Sequence, residues 1–174
     1  MRFKIFIIFI FTIALLSCKR KPTPMKEVQV PGSFSISIPS YMNPATDLLP
    51  GRRSAVQFAN DSAEAYLFII DTLRKNMKEN NLNIFYDSMV VSNLGDSTME
   101  QPAAKFVMEH GDSTLFTERK AMLQSNNTIV YYRIEVVASP KRFYYIELWT
   151  RLQNKDALKD DFDRILHSFT AVNR

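Results

Sequence analysis

Apolar and polar residues alternate strictly through Phe34-Ser35-Ile36-Ser37-Ile38, and the pattern stops at Pro39. A period of two puts Phe34, Ile36 and Ile38 on one side, which predicts a strand with those three toward a core. Ala55 to Phe58 is a second strand candidate. Ala65 to Ile70 is instead a continuous run of apolar β-formers ended by Asp71, the mark of a central strand covered on both faces. From Thr72 to Leu94 the spacing of Met77, Leu82, Phe85, Met89 and Val90 approximates one helical face, with Gly95 as a stop and Asn80-Asn81 as a point of interruption.

The second half of the chain is patterned more regularly. Strands are predicted at about Ala104 to Glu109, Leu115 to Leu123, Thr128 to Val137 and Arg142 to Arg151. The segments between them, His110-Gly111-Asp112-Ser113, Ser125-Asn126-Asn127 and Ala138-Ser139-Pro140-Lys141, are rich in turn formers, so the strands form an antiparallel meander. Asn154 is placed to cap a closing helix in which Leu158, Phe162, Ile165, Leu166 and Phe169 make one apolar stripe, while Lys159, Asp160, Asp163 and Arg164 turn to water. Burying that stripe requires a sheet beneath it. This order of elements predicts an α+β fold, an antiparallel β-sheet with helices packed on it.

The amino terminus obeys a different pattern. Arg2 and Lys4 precede the uncharged run Ile5 to Leu16, followed by Ser17 and the one cysteine of the chain, Cys18. Twelve apolar residues are too few to cross a hydrocarbon core, which takes about 20. Leu15-Leu16-Ser17-Cys18 resembles the lipobox of bacterial lipoproteins. The resemblance implies a signal peptide at residues 1–17, cleavage before Cys18, lipid on its thiol and acylation of the freed amine. Two or three acyl chains make a stable anchor. Residues 18–27, with two prolines and no apolar periodicity, then read as a tether, and 28–174 as a single domain. The expected location is the cell envelope, membrane-anchored and facing the periplasm or the surface. The outer membrane is the expected one; Lys19 stands where some bacteria use an aspartate to retain lipoproteins at the inner membrane, but sorting rules differ among lineages, so membrane and leaflet stay open.

Charge changes meaning once this processing is allowed for. Of 22 basic and 18 acidic residues, six and one precede Val28, which leaves 16 and 17 in the domain. A nearly neutral domain lacks the basic face that nucleic acid requires, so no nucleic-acid partner is expected. With its one thiol committed to lipid the domain has no disulfide, and its stability rests on its core.

No catalytic constellation emerges, and no enzyme activity, cofactor or metal is expected. His110 and His167 are the only histidines. His110 shares a tight turn with Asp112 and Ser113, a spacing that does not suit a proton relay. His167 falls near the end of the closing helix, an ordinary place for a cation. Asp160-Asp161-x-Asp163 lacks the glycine and terminal glutamate of a calcium loop, and four glycines in the chain leave no phosphate-cradling loop.

Two patterns remain as functional candidates. If Val130, Tyr132, Ile134 and Val136 face the core, Tyr131, Arg133 and Glu135 alternate outward, and Phe143, Tyr145, Glu147, Trp149 and Arg151 alternate likewise on the neighbouring strand. Tyrosine, tryptophan and arginine are enriched at interface hot spots, so Tyr131, Arg133, Glu135, Tyr145, Glu147 and Trp149 are the candidate partner face. The same face could equally be capped by the first helix, with Arg133 pairing a glutamate across strands. The second pattern is that five of ten aspartates are followed by Ser or Thr, in a chain with 24 such residues among 174. These positions resemble the acceptor of general protein O-glycosylation in Bacteroidetes, with Ser62, Ser97 and Ser113 as the candidate acceptors. The local alternative is that Asp and Ser favour caps and turns by bonding the backbone.

Phe34-Ser35-Ile36-Ser37-Ile38-Pro39, Tyr145-Ile146-Glu147-Leu148-Trp149 and the closing Phe162-x-x-Ile165-x-x-Ser168-Phe169 together resemble the PsbP-like fold. The resemblance implies an α/β/α sandwich and brings no catalytic residues. Proteins of this fold include the PsbP accessory protein of photosystem II, a Ran-binding import factor and small bacterial envelope lipoproteins, so the architecture is shared while the roles differ. The expectation is a lipid-anchored, non-enzymatic envelope protein offering a sheet face or sheet edge to an unidentified envelope protein, as an accessory or assembly factor. The alternative is a carrier or sensor of a small ligand held between sheet and helix. A closed apolar cavity of a few hundred Å³ would favour the ligand, and a filled core with an exposed aromatic patch would favour the partner.

Overall fold

A computed structural model describes residues 21–49, 54–94, 98–100, 102–123 and 127–172. The signal segment, Cys18, Gly95, Ser97, Ser125 and Asn126 lie outside the described residues. In chain order the elements are β1 (Met25–Val30), β2 (Phe34–Pro39), β3 (Asn43–Pro44), β4 (Val56–Asn60), β5 (Ala65–Leu73), α1 (Leu82–Leu94), β6 (Thr98–Glu100), β7 (Lys105–Glu109), β8 (Asp112–Leu123), β9 (Thr128–Ala138), β10 (Arg142–Arg151), α2 (Lys155–His167) and β11 (Thr170–Ala171). The large sheet runs β3-β4-β5-β10-β9-β8-β6, with β7 also paired to β8, and every pairing is antiparallel. A smaller sheet, β1-β2-β11, lies apart from it.

Two cores form on the two faces of the large sheet. Alternate residues of β10, Tyr144, Ile146 and Leu148, pack with Leu158, Phe162, Ile165 and Leu166 of α2 and with Phe34, Ile36 and Ile38 of β2. The other residues, Phe143 and Tyr145, pack with Phe85, Tyr86 and Val90 of α1. We call these the α2 face and the α1 face. The fold is therefore α+β with a layer on each side of one antiparallel sheet, as expected. The motif residues lie at the junction of the layers: Phe34 meets Phe169 at 5.3 Å and Tyr144 at 5.8 Å between ring centres. The Ser168 hydroxyl accepts from the Ser37 N–H at 2.8 Å, which fastens the exit of α2 to β2.

Three local expectations are corrected. Helix was expected from Thr72, but β5 continues to Leu73 because it stays paired with β10 up to Arg142, and α1 begins only at Leu82. The Asn81 carboxamide accepts from the N–H groups of Asn83 at 2.9 Å and Ile84 at 3.3 Å, so it starts the helix rather than interrupting one. Asn154 precedes α2, yet its side chain donates to Glu64 and caps nothing. Met25 to Val30 form β1 on β2, and the Thr23 hydroxyl donates to Asp161 of α2 at 3.0 Å.

Candidate functional site

The six residues of the expected partner face do not share a face. Register pairs Tyr145 with Val136, Glu147 with Ile134 and Trp149 with Tyr132, so these three lie on the α1 face. Tyr131, Arg133 and Glu135 lie opposite Thr150, Leu148 and Ile146, on the α2 face. Nor do they form an open surface, since only Trp149 is half-exposed and the other five are buried. Trp149 stacks on Tyr66, its cross-strand neighbour, at 5.2 Å. The Tyr145 hydroxyl donates to Glu147 under α1, and burial followed by the Glu147 charge raises the phenol well above its ordinary value.

Tyr131, Arg133 and Glu135 do come together, as the floor of a trough beside α2. Two open cavities share Lys105 and Phe116 along it. One, of about 360 Å³, reaches Tyr131 and Lys155 at the start of α2. The other, of about 350 Å³, reaches Glu135, Leu166 and His167 at its end. Arg133 sits between them and ties the trough to the helix. Its guanidinium pairs with Asp163 of α2, lies 3.8 Å from Glu118 of β8 and rests 5.2 Å from the Phe116 ring centre. Lys159 joins Asp163 at 2.8 Å, and Lys155 approaches Glu118 at 3.7 Å. Burial pushes the Asp163 carboxyl up, but hydrogen bonds from Lys159 and Arg133 outweigh it and hold the group below its ordinary range. Lys155 also stands 4.6 Å over the Tyr131 ring, and burial followed by Glu118 raises that phenol.

β7 bounds the outer side of the trough, and the sequence reading gave it no role beyond a strand. It pairs only with β8, so its other edge is open among the described residues. Phe106 is 62 % exposed, Val107 40 % and Met108 62 %. The signal was present in Lys105-Phe106-Val107-Met108-Glu109: three consecutive apolar residues cannot all face one core from a strand. His110 and Gly111 close the turn to β8, both with positive φ, as a two-residue hairpin needs. The His110 ring meets the carbonyl of His167 at 3.0 Å, not Asp112 or Ser113.

Ser62 is exposed in the turn after β4. Ser113 was expected in an exposed turn, but it is half-buried within β8, paired on both sides with Met108 and Ala138. Among the described residues no group of His, Cys, Asp or Glu is arranged to hold a metal ion, and no helix is long and apolar enough to cross a membrane.

No family model and no curated protein matches the chain. Solved structures do. The solution structure of cyanobacterial PsbP from Synechocystis matches with a TM-score of 0.65 at 14 % identity, covering 90 % of this chain and 98 % of that one. The fold is PsbP-like. LpqN of Mycobacterium tuberculosis matches with a TM-score of 0.58 at 11 % identity, over 86 % of this chain and 91 % of that one. A crystal structure from Bacteroides thetaiotaomicron matches with a TM-score of 0.58 at 14 % identity, over 84 % of this chain. This chain spans about half of that protein, 48 % of its length. At these identities the likeness is one of fold.

Proposed function

We propose that this chain is a lipid-anchored, non-enzymatic cell-envelope protein that acts as an accessory or assembly factor and binds its partner along the β7 edge. The observation that carries the reading is the open edge itself, a strand with one edge unpaired among the described residues and three exposed apolar side chains between Lys105 and Glu109. Such an edge is a template for strand addition and is normally guarded by charge, proline or a covering element. The occupant that fits is an extended segment of an envelope protein, its alternate side chains covering Phe106 and Met108 on one face and Val107 on the other. The solved LpqN is described as involved in cell envelope biogenesis, which supports an envelope role. The cavities beside α2 are open rather than closed, which favours a protein partner over an enclosed ligand. The anchor at Cys18 and glycans at Ser62 and Ser97 belong to the same proposal.

One experiment reads all of it. A photo-crosslinking residue at position 107 of the full-length chain in its native host is expected to capture one dominant partner, whereas the same residue at exposed position 160 does not. Introducing F106K and M108K together should abolish the capture without changing the thermal midpoint, because both side chains are solvent-exposed. Equal capture by both forms overturns the edge. Mass spectrometry of the same material should show a chain beginning at an acylated Cys18. A native chain beginning at Met1 with a free thiol overturns the anchor, and a mass of lipid plus polypeptide alone overturns the glycans.

A further inference from the structure

The end of the trough nearest His167 holds a buried carboxyl that faces the open groove. Glu135 is 4 % exposed, lines the cavity of about 350 Å³, and among the described residues has no hydrogen bond and no ion pair. Its nearest natural partner, Arg133 on the same strand, is already engaged by Asp163 and Glu118. Glu109 of β7 adds a second negative charge toward it. The remaining charged groups around this end are Lys105 of β7 and His167 of α2, the latter 4.0 Å from Glu109. The other walls are apolar: Val107, Met108, Phe116 and Leu166. Buried polar groups in folded proteins are nearly always paired, so an isolated one at the floor of an open groove marks a place for a complementary group from outside.

We propose that this end of the trough binds an organic ammonium carried on an apolar body, the cation seated between Glu135 and Glu109 and the body lying along Val107, Phe116 and Leu166. The groove rather than the free strand edge carries this inference, so failure of the edge crosslink leaves it standing. A buried carboxyl beside the Glu109 carboxylate favours a cation, and the apolar walls favour a head on a hydrophobic group over a small hydrated ion. Burial first, then Glu109, pushes the Glu135 carboxyl up to about 8, only partly offset by Arg133, which is the electrostatic cost that an incoming cation relieves.

The probe is phenethylamine, with 2-phenylethanol as its neutral isostere, titrated into the full-length chain in detergent micelles and followed by the Val107 methyl resonances, which share the trough with Glu135. The amine should shift those resonances saturably, and the alcohol should bind more weakly by about tenfold or more. Glu135→Gln keeps the side-chain size and should lower amine affinity by a similar factor, while the methionine resonances report that the fold is intact. Phosphatidylethanolamine added to the micelles should displace the amine if the head belongs to a lipid, with phosphatidylglycerol as the control; absence of displacement assigns a soluble amine. The site stands in both cases. Equal binding of the alcohol, unchanged affinity in Glu135→Gln, or no saturable shift overturns the proposal, the last meaning that Lys105 serves the carboxyl itself.

Discussion

The middle of the large sheet and its β7 margin use similar residues to opposite effect. On β10, Phe143, Tyr144, Tyr145 and Ile146 are 0 % exposed, because α2 and β2 cover one face and α1 covers the other. On β7, two strands beyond β9, Phe106 and Met108 stay 62 % exposed although they are no less apolar. The polar groups differ in the same way. In the middle, the buried Tyr144 hydroxyl is satisfied by donating to the Ser33 carbonyl at 2.8 Å. Toward the margin, Arg133 pairs with Asp163 and Glu118, and the buried Glu135 has no hydrogen-bond donor among the described residues. Burial is thus decided by how far each covering layer extends, and α2 reaches β7 only with its last residue, His167, 4.0 Å from Glu109, leaving Phe106, Val107 and Met108 uncovered.

The strongest test of that contrast is a pair of truncations. Phe162→Ala empties a wholly buried site under α2 and should cost about 3–5 kcal/mol in urea denaturation, whereas Phe106→Ala should stay within about 0.5 kcal/mol. Similar losses from the two would mean that β7 is covered in solution.

A smaller effect tests the margin through pH. The folded chain keeps the Glu135 proton up to about 8, while the ordinary value is 4.5, so between these values the folded state holds one proton more than the unfolded state. Stability from this group is therefore fully present below pH 4.5 and is lost as pH rises through 8. Glu135→Gln should be more stable than the parent by a few kcal/mol at most near pH 9 and nearly equal to it near pH 4, since the amide has no proton to lose. Asp163 titrates in the opposite sense and does so in both proteins, so it cancels from the difference. A gap independent of pH would remove Glu135 from the account. Smallest is Asn81→Ala, which removes the acceptor that starts α1 and should cost about 1 kcal/mol in thermal unfolding. No change would show that packing of Phe85 on Phe143 alone sets the start of the helix.

Much of this architecture was legible from periodicity. The alternation of β2, the doubly covered run of β5, the meander and the stripe of α2 each follow from neighbouring residues that share one environment. The start of α1 was misplaced because local helical spacing after Thr72 yields to the pairing of β5 with β10. Part of the site was legible as well: Tyr131, Arg133 and Glu135 were singled out and line one trough. The role of β7 was not, because Phe106, Val107 and Met108 read like core residues until the neighbouring layers are in place.

Alternation along a strand tells which of its own residues share a side, and the chain carried that information for β9 and for β10 separately. Which side of one goes with which side of the other is a matter of register. Register is fixed by hydrogen bonds between distant segments and by the turn joining them, and a slip of one residue exchanges the two faces. That is why Arg133 and Trp149, alike as candidates in the linear pattern, lie in the folded protein on opposite sides of the same sheet.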